Sequence, residues 1–420
     1  MASQVNPPRG MRDFVPSEKA HRDRVLDAIT TTYREHGFDE IETPVMEDSS
    51  RLNAGLGGDN EKLAFGILKR GLTTDDFARA ETNLDLIDMG LRFDLTVPLA
   101  RFYATHRAEL PTVFRSIQAA PVWRAERPQK GRYRQFVQCD IDIIGEGGLI
   151  AEVELIAATL ATLDAIGLEG CTVRINDRRI LTSMLSLFGF APETHESALI
   201  TIDKMDKVGQ EGVLKELGEK GLPTEALATF FRRPMTMEFL TFSERAIQKF
   251  TPEGIDVAPV KDLATIGDSL GELAHRLTFD PFLVRGMGYY TGTIFEVAHP
   301  SVDYSLGGGG RYDGMIGRFL GTEVPAVGFS LGFERLVDLV ELPEAEQGTA
   351  VAIIFDADVD PKQLLEVKTA QIAAGNRVRL ERRPKNLKPL LAQLESEAFA
   401  SYAFLSTDGL GEPRAFTAQG

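Results

Sequence analysis

Residues 122–144 read VWRAERPQKGRYRQFVQCDIDII. Side chains on a strand alternate between two faces with a period of two. In the second half of the stretch Val137, Cys139, Ile141 and Ile143 share one parity, while Arg134, Phe136, Gln138, Asp140 and Asp142 share the other. In the first half Trp123 and Ala125 oppose Arg124 and Glu126. The pattern predicts a β-hairpin with one packed face and one charged face. Its connection, Arg127 to Arg132, combines the turn formers Pro128 and Gly131 with cationic side chains, which predicts an anion-seeking loop.

A surface hairpin also alternates apolar with charged residues, because one of its faces meets water. Here the polar face carries more than charge. Phe136 offers a ring, and Gln138, Asp140 and Asp142 follow in register behind the arginines. A ring to stack a base, guanidinium forks for phosphates and carboxylates for a cationic or N–H-bearing group suit a nucleotide bound beside a small polar molecule.

The rest of the composition limits the alternatives. A chain of 420 residues has room for two or three domains, and its 43% hydrophobic and 26% charged residues are those of a globular protein. The net charge of −16 argues against wholesale coating of nucleic acid, although a local basic surface on an acidic body still suffices for a nucleic-acid partner. Cys139 and Cys171 are too few for a disulfide framework or a cysteine zinc site, and they fit the reducing cytoplasm. The N-terminal MASQVNPPRGMRDF has no apolar signal region, and no stretch approaches the roughly 20 apolar residues of a membrane span. The histidines at 21, 36, 106, 195, 275 and 299 show no paired ligand spacing, so no protein-held metal site is expected.

WRAERPQKGRYRQFVQCD resembles motif 2 of the class II aminoacyl-tRNA synthetases, and that of the histidyl-tRNA synthetases in particular. Ser17 to His36 reads as a helix capped by Ser17 and stopped by Gly37, followed by a strand over Phe38 to Val45; together they resemble the family's motif 1, which implies a homodimer. Asn60 to Met89 reads as helical. A strand ends in LRFDLTVP (91–98) before a helix that begins near Pro98, so Asp94 suits a helix cap, and in the family the acidic residue here binds an amino group. Leu149 to Ile166 reads as an apolar helix and Val173 to Asp177 as a strand.

LVRGMGYYTGTIFE (283–296) places glycines around Arg285, Tyr289 and Tyr290, permitting close backbone approach to a small ligand. It resembles the motif that distinguishes histidyl-tRNA synthetases, with Gly288 where the family usually has Asp. SLGGGGRYDG (305–314), which includes Tyr312, resembles the stretch that lines the family's histidine pocket, and PAVGFSLGFERL (325–336) resembles motif 3, with Arg335 beside a helix N-terminus.

The fold class expected is an α+β catalytic core on an antiparallel sheet, residues 1–177 and 278–342, interrupted by a helical insertion at 178–277. A small C-terminal α/β domain follows at 343–420, with strands over Val351 to Phe355, Arg377 to Leu380 and Tyr402 to Leu405. It resembles the family's anticodon-binding domain, shortened by a last strand and helix, and carries a basic run from Arg377 to Lys388.

The resemblance implies histidine–tRNA ligase activity, with ATP and Mg2+, on L-histidine and tRNA(His); the two cysteines, the N-terminus and the lack of an apolar span predict a cytoplasmic protein with no membrane segment. It implies Arg124 and Arg285 as catalytic cations, and Arg124, Glu126, Arg132, Phe136 and Arg335 around ATP. Asp94, Thr96, Gln138, Asp142, Arg285, Tyr289, Tyr290 and Tyr312 would surround histidine, and Gln129 with Lys130 would meet the tRNA acceptor end. The rival readings are a histidine-sensing paralogue, such as the synthetase-like regulatory subunit of ATP phosphoribosyltransferase, and an adenylating enzyme without tRNA.

Overall fold

The structure is a computed structural model that describes residues 5–56, 63–128, 131–232, 242–286, 288–342 and 349–416, with the main chain alone at 53–56 and at Asp206. Contacts divide the chain into two compact units, Met1–Glu341 and Leu342–Gly420.

The first unit is built on an eight-stranded sheet. Its strands are β1 (Asp39–Glu40), β2 (Phe114–Trp123), β3 (Gln135–Ile144), β4 (Thr172–Asp177), β5 (Leu277–Phe279), β6 (Thr293–Ala298), β7 (Gly307–Arg311) and β8 (Ala326–Gly332). They lie in the order β1-β2-β3-β8-β7-β6-β4-β5. Every neighbouring pair from β2 to β4 is antiparallel, and β1 and β5 add parallel edges. The hairpin of β2 and β3 thus sits well inside the sheet, with Val122 opposite Phe136 and Ala120 opposite Gln138.

Alternation along β3 decides what each face does. Cys139, Ile141 and Ile143 are fully buried on the side where helices Pro16–Glu35 and Ile150–Ala165 pack together against the sheet. Each such buried aliphatic side chain contributes roughly 1.5–3 kcal/mol. Leu155, Ile156, Val25 and Ile29 complete this layer at zero exposure. The opposite parity of β3 is also buried, although it is polar. Gln138, Asp140 and Asp142 are no more than 8% exposed and form the floor of a cleft.

Four local readings are corrected. The first helix is Pro16–Glu35 with Val15 at its N-cap, because Pro16 at the first helical position needs no N–H partner; Ser17 lies inside, and Glu18 accepts from Val15 N at 3.1 Å. The Phe38–Val45 strand is reduced to β1, which pairs parallel with Ser116 and Ile117. Among the described residues of 60–89, the structure has helix Thr74–Arg79 but also strands Gly66–Leu68 and Ile87–Leu91, which join Met46–Asp48 in a separate three-stranded sheet. The helix expected near Pro98 starts at Thr96.

Residues 178–277 fold as successive helices, including Arg178–Leu187, His195–Ile202, Met205–Glu219, Glu225–Phe231 and Ala258–Leu270. They belong to the first unit, where Leu199, Ile202 and Phe231 share a buried cluster with Leu283, Tyr289 and Tyr290. The second unit pairs Ala350–Phe355 in parallel with Arg377–Arg382 on one side and Ser401–Ser406 on the other. Helices Pro361–Ala373 and Lys388–Ser396 make the crossovers, and two short antiparallel strands pair with Ser401–Ser406. Much of its basic run is engaged within the unit: Arg377 and Arg379 lie over Phe399 at 4.8 and 4.7 Å, and Arg383 pairs with Asp356 at 3.2 Å.

Candidate active site

The floor of the cleft is set by cross-strand rows. One row runs Gln118, Asp140, Ser330, Gly308, Glu296, Arg174 across β2, β3, β8, β7, β6 and β4; the next runs Ser116, Asp142, Gly328, Gly310, Ile294, Asn176. Glycine makes room for the charged groups in these rows. A Cβ at Gly328 would lie 1.9 Å from Asp142 Oδ1, and one at Gly308 would lie 2.6 Å from Arg285 Nη1. The Asp142 carboxyl and the Arg285 guanidinium therefore occupy space that side chains on the neighbouring strands would fill.

The cationic wall comes from three arginines. Arg124 follows β2, stands between the rings of Phe93 (4.5 Å) and Phe136 (5.0 Å), and donates to Phe93 O and Gln138 Oε1 at 3.1 Å each. Arg285 donates to Glu296 Oε2 at 3.0 Å, and its buried Nε has no protein partner. Glu296 also pairs with Arg174 at 3.0 Å, and Arg174 with Asp280, so a chain of ion pairs fixes Arg285. Arg335, in the short helix Phe333–Val337 after β8, donates to Ser305 O at 2.5 Å and lies near Tyr304. Burial and the neighbouring Arg132 lower its pKa. Arg132 itself pairs with Glu126 at 3.0 Å.

The acidic side faces this wall. Asp94 is 3% exposed; its Oδ1 caps helix Thr96–His106 by accepting from Val97 N at 3.1 Å, and its Oδ2 is buried without a partner. One oxygen of this carboxyl thus caps the helix while the other is left without a protein partner. Burial raises its pKa, and Arg124 pulls the other way. Tyr312 donates to Asp142 Oδ1 at 2.6 Å, leaving Oδ2 for another donor. Burial pushes the Asp142 carboxyl up to about 7. Tyr289 packs against Tyr290 at 4.9 Å and Tyr312 at 6.0 Å, and Thr96 lies beside its hydroxyl.

One cleft therefore brings together Asp94, Thr96, Arg124, Phe136, Gln138, Asp142, Arg285, Tyr289, Tyr290 and Tyr312, with Glu126, Arg132 and Arg335 carried by the motif 2 loop and the helix after β8. Gln129 and Lys130, expected at the tRNA acceptor, lie outside the described residues. Three members were not singled out from sequence. Phe93 flanks Arg124, Glu296 anchors Arg285, and Ser330 accepts from Gln138 Nε2 at 2.7 Å. The signal for Ser330 was present, since Gly328, Ser330 and Gly332 alternate with Val327, Phe329 and Leu331. Glu296 was legible as a lone charge in a β-branched strand.

Comparison with known proteins addresses the same region. The pattern described as Histidyl-tRNA synthetase matches residues 10–336. A "Histidine--tRNA ligase" of Leifsonia xyli subsp. xyli is 58% identical, covering 97% of each chain. Another from Flavobacterium johnsoniae is 34% identical over 92% of this chain and 89% of its own. Among solved structures, the histidyl-tRNA synthetase of Nostoc sp. PCC 7120 superposes with a TM-score of 0.72 at 25% identity, covering 96% of this chain and 92% of that one. From the pattern across the catalytic unit and the near full-length relatives, the chain belongs to the histidyl-tRNA synthetase family.

Proposed function

We propose that this chain is a histidine–tRNA ligase: it activates L-histidine with ATP to histidyl-adenylate and pyrophosphate, then transfers the histidyl group to the 3′ end of tRNA(His). The observation that carries the reading is a pair of buried polar atoms without a protein partner, Asp94 Oδ2 and Arg285 Nε, on an acidic and a basic side chain. Together they complement the two ends of a zwitterionic amino acid. Tyr289 lies within electrostatic reach of both.

In the first step the histidine carboxylate attacks the α-phosphate and pyrophosphate leaves. Charge repulsion is the obstacle, so positioned cations do the chemistry and no general base is required. Arg285 and Arg124 bridge carboxylate and α-phosphate. Arg335, helped by Arg132, takes the outer phosphates; Phe136 stacks on adenine, and Glu126 accepts from its amino edge. Asp94, Thr96 and Gln138 take the α-ammonium. Asp142 accepts an imidazole N–H, with Tyr290 and Tyr312 flanking the ring. Buried polar groups left unpaired by a wrong amino acid reject it by roughly four orders of magnitude. In the second step a terminal ribose hydroxyl of the tRNA attacks the activated carbonyl and AMP departs.

Among the described residues no group of three His, Cys, Asp or Glu side chains is placed to hold a metal ion. Magnesium would arrive with the phosphates of ATP, neutralising their charge. The loop that carries Gln129 and Lys130 is assigned to the tRNA acceptor end. The homodimer rests on the resemblance of residues 17–45 to motif 1, and the cytoplasmic location on two buried, unpaired cysteines. No helix among the described residues is long and apolar enough to cross a membrane.

The test is histidine-dependent ATP–pyrophosphate exchange beside charging of tRNA with radiolabelled histidine, on one preparation. Both activities are expected. Exchange without charging would indicate an adenylating paralogue, and loss of both in folded protein would indicate a histidine-binding one.

A further inference from the structure

The cleft carries the carboxyls of Asp94, Asp140, Asp142 and Glu296; the reaction as derived uses Asp94 and Asp142, and Glu296 anchors Arg285. Asp140, which has no role in it, lies on β3 between Gln138 and Asp142 and is 4% exposed. Its cross-strand neighbours are Ser330 on β8 and Gln118 on β2. Gln118 is occupied elsewhere, accepting from Thr43 Oγ1 and donating to Leu95 O at 3.1 Å. What reaches Asp140 is Gln138, whose Nε2 donates to Asp140 Oδ1 at 3.3 Å and to Ser330 Oγ at 2.7 Å. The Ser330 hydroxyl in turn lies against the Asp140 carboxyl. Gln138, Asp140 and the half-buried Ser330 form a closed triangle.

The triangle bears on the orientation of a single carboxamide. A side-chain amide has an acceptor end and a donor end, and its neighbours decide which way it points. Gln138 Oε1 accepts from Arg124 at 3.1 Å, while both donors of Nε2 are consumed below. Turned over, the amide would set its N–H groups against a guanidinium that has no acceptor. In the observed sense the oxygen, with one lone pair still free, faces the ligand side beside Arg124.

We infer that Asp140, with Ser330, is a positioning residue that holds the carboxamide of Gln138 with its oxygen toward the α-ammonium of histidine, making this pair a determinant of selectivity for the free amine. The inference rests on the reading that Gln138 contacts the ammonium. Asp140 needs no charge for this task. Burial and the neighbouring Asp142 push its carboxyl well above the usual range, Asp94 adds to the effect, and Ser330 and Arg124 oppose it. A neutral acid still accepts from Gln138 and from Ser330.

The experiment compares Asp140→Leu, Asp140→Asn and Ser330→Ala with the unaltered protein. Its probes are two inhibitors: histidinol, which keeps the ammonium and imidazole, and 3-(imidazol-4-yl)propionate, which keeps the carboxylate and imidazole and lacks the ammonium. For Asp140→Leu, the KM for histidine and the Ki of histidinol should rise roughly tenfold or more, as for loss of a hydrogen bond to a charged group. The Ki of imidazolylpropionate and the KM for ATP should stay within about twofold. Asp140→Asn should restore most of the affinity, and Ser330→Ala should show the same split at smaller amplitude.

Equal weakening of both inhibitors would reduce Asp140 to a structural residue and overturn the inference. So would an unchanged KM for histidine, or Asp140→Asn as damaging as Asp140→Leu. Should Asp140→Leu fail to fold, Ser330→Ala reports the same split, with Asp140→Asn as the control that leaves both Ki values near those of the unaltered protein. Calorimetry with the two inhibitors keeps the test independent of turnover. If the unaltered protein bound both without exchanging pyrophosphate, the proposed activity would fall while the inference could still be decided.

Discussion

In the proposed reading, Asp142 combines recognition with titration at one carboxyl. Its carboxyl titrates near 7 because burial outweighs the lowering effect of the Tyr312 hydrogen bond. The ionised carboxylate accepts an imidazole N–H more strongly than the neutral acid, so histidine affinity should fall as pH drops through about 7. Folding stability responds in the opposite sense. A carboxyl whose pKa is raised on folding contributes stability at low pH that is lost as pH rises through the folded value. The KM for histidine measured from pH 6 to 8 should therefore rise on the acid side, and Asp142→Asn should flatten the profile while weakening histidine far more than ATP. Arg285→Ala is expected to lower pyrophosphate exchange by roughly a hundredfold or more while histidine still binds in calorimetry, since its guanidinium acts where charge develops. At this scale the sequence was informative wherever alternation separated polar from apolar, as in Gln138, Asp140 and Asp142. It was silent on which acid does what, because that depends on Ser330 and Gly328, which reach β3 from nearly 190 residues further along the chain.

Among the elements, the junction of helix Pro16–Glu35, β3 and the helix Phe333–Val337 depends on one carboxylate. Glu334 accepts from Arg22 Nη1 and Nη2 at 2.7 Å each, from Val137 N at 3.2 Å, and pairs with Arg12. Removing one partner of a buried ion pair strands the others. Glu334→Ala should thus cost about 3–5 kcal/mol in denaturant unfolding. Because Arg335 is the next residue, the KM for ATP should rise as well. The long helices and the hairpin were legible because their periodicity is local. The three-stranded sheet was not: its strands are three to five residues long, and Met46–Asp48 finds its partner in Ile87–Leu91 only through tertiary contact. The Phe38–Val45 strand was overread for a related reason, since an edge paired to β2 through two residues offers little ladder to extend.

For the whole molecule, the division at residue 341 separates the chemistry from the C-terminal unit. Every residue assigned to ATP or histidine lies before the boundary. A fragment of residues 1–341 should retain histidine-dependent pyrophosphate exchange within severalfold, while tRNA charging should fall much further. Comparison of the two assays on fragment and full chain checks this, and equal loss of both would tie the second unit to activation. The basic run from Arg377 carries less free charge than its sequence suggests, since Arg379 pairs with Glu381 and Glu397 and Arg383 with Asp356.

Strand β7 is made of four glycines and an arginine, and each glycine carries a neighbour closer than a methyl group tolerates; at Gly309 an added Cβ would lie 1.9 Å from the carbonyl oxygen of Gly328. In a library of random substitutions, these four adjacent codons should therefore stay almost blank, alanine included. The stretch with the least compositional variety in the chain is then among the stretches with the least freedom to drift, because its information lies in what it leaves out.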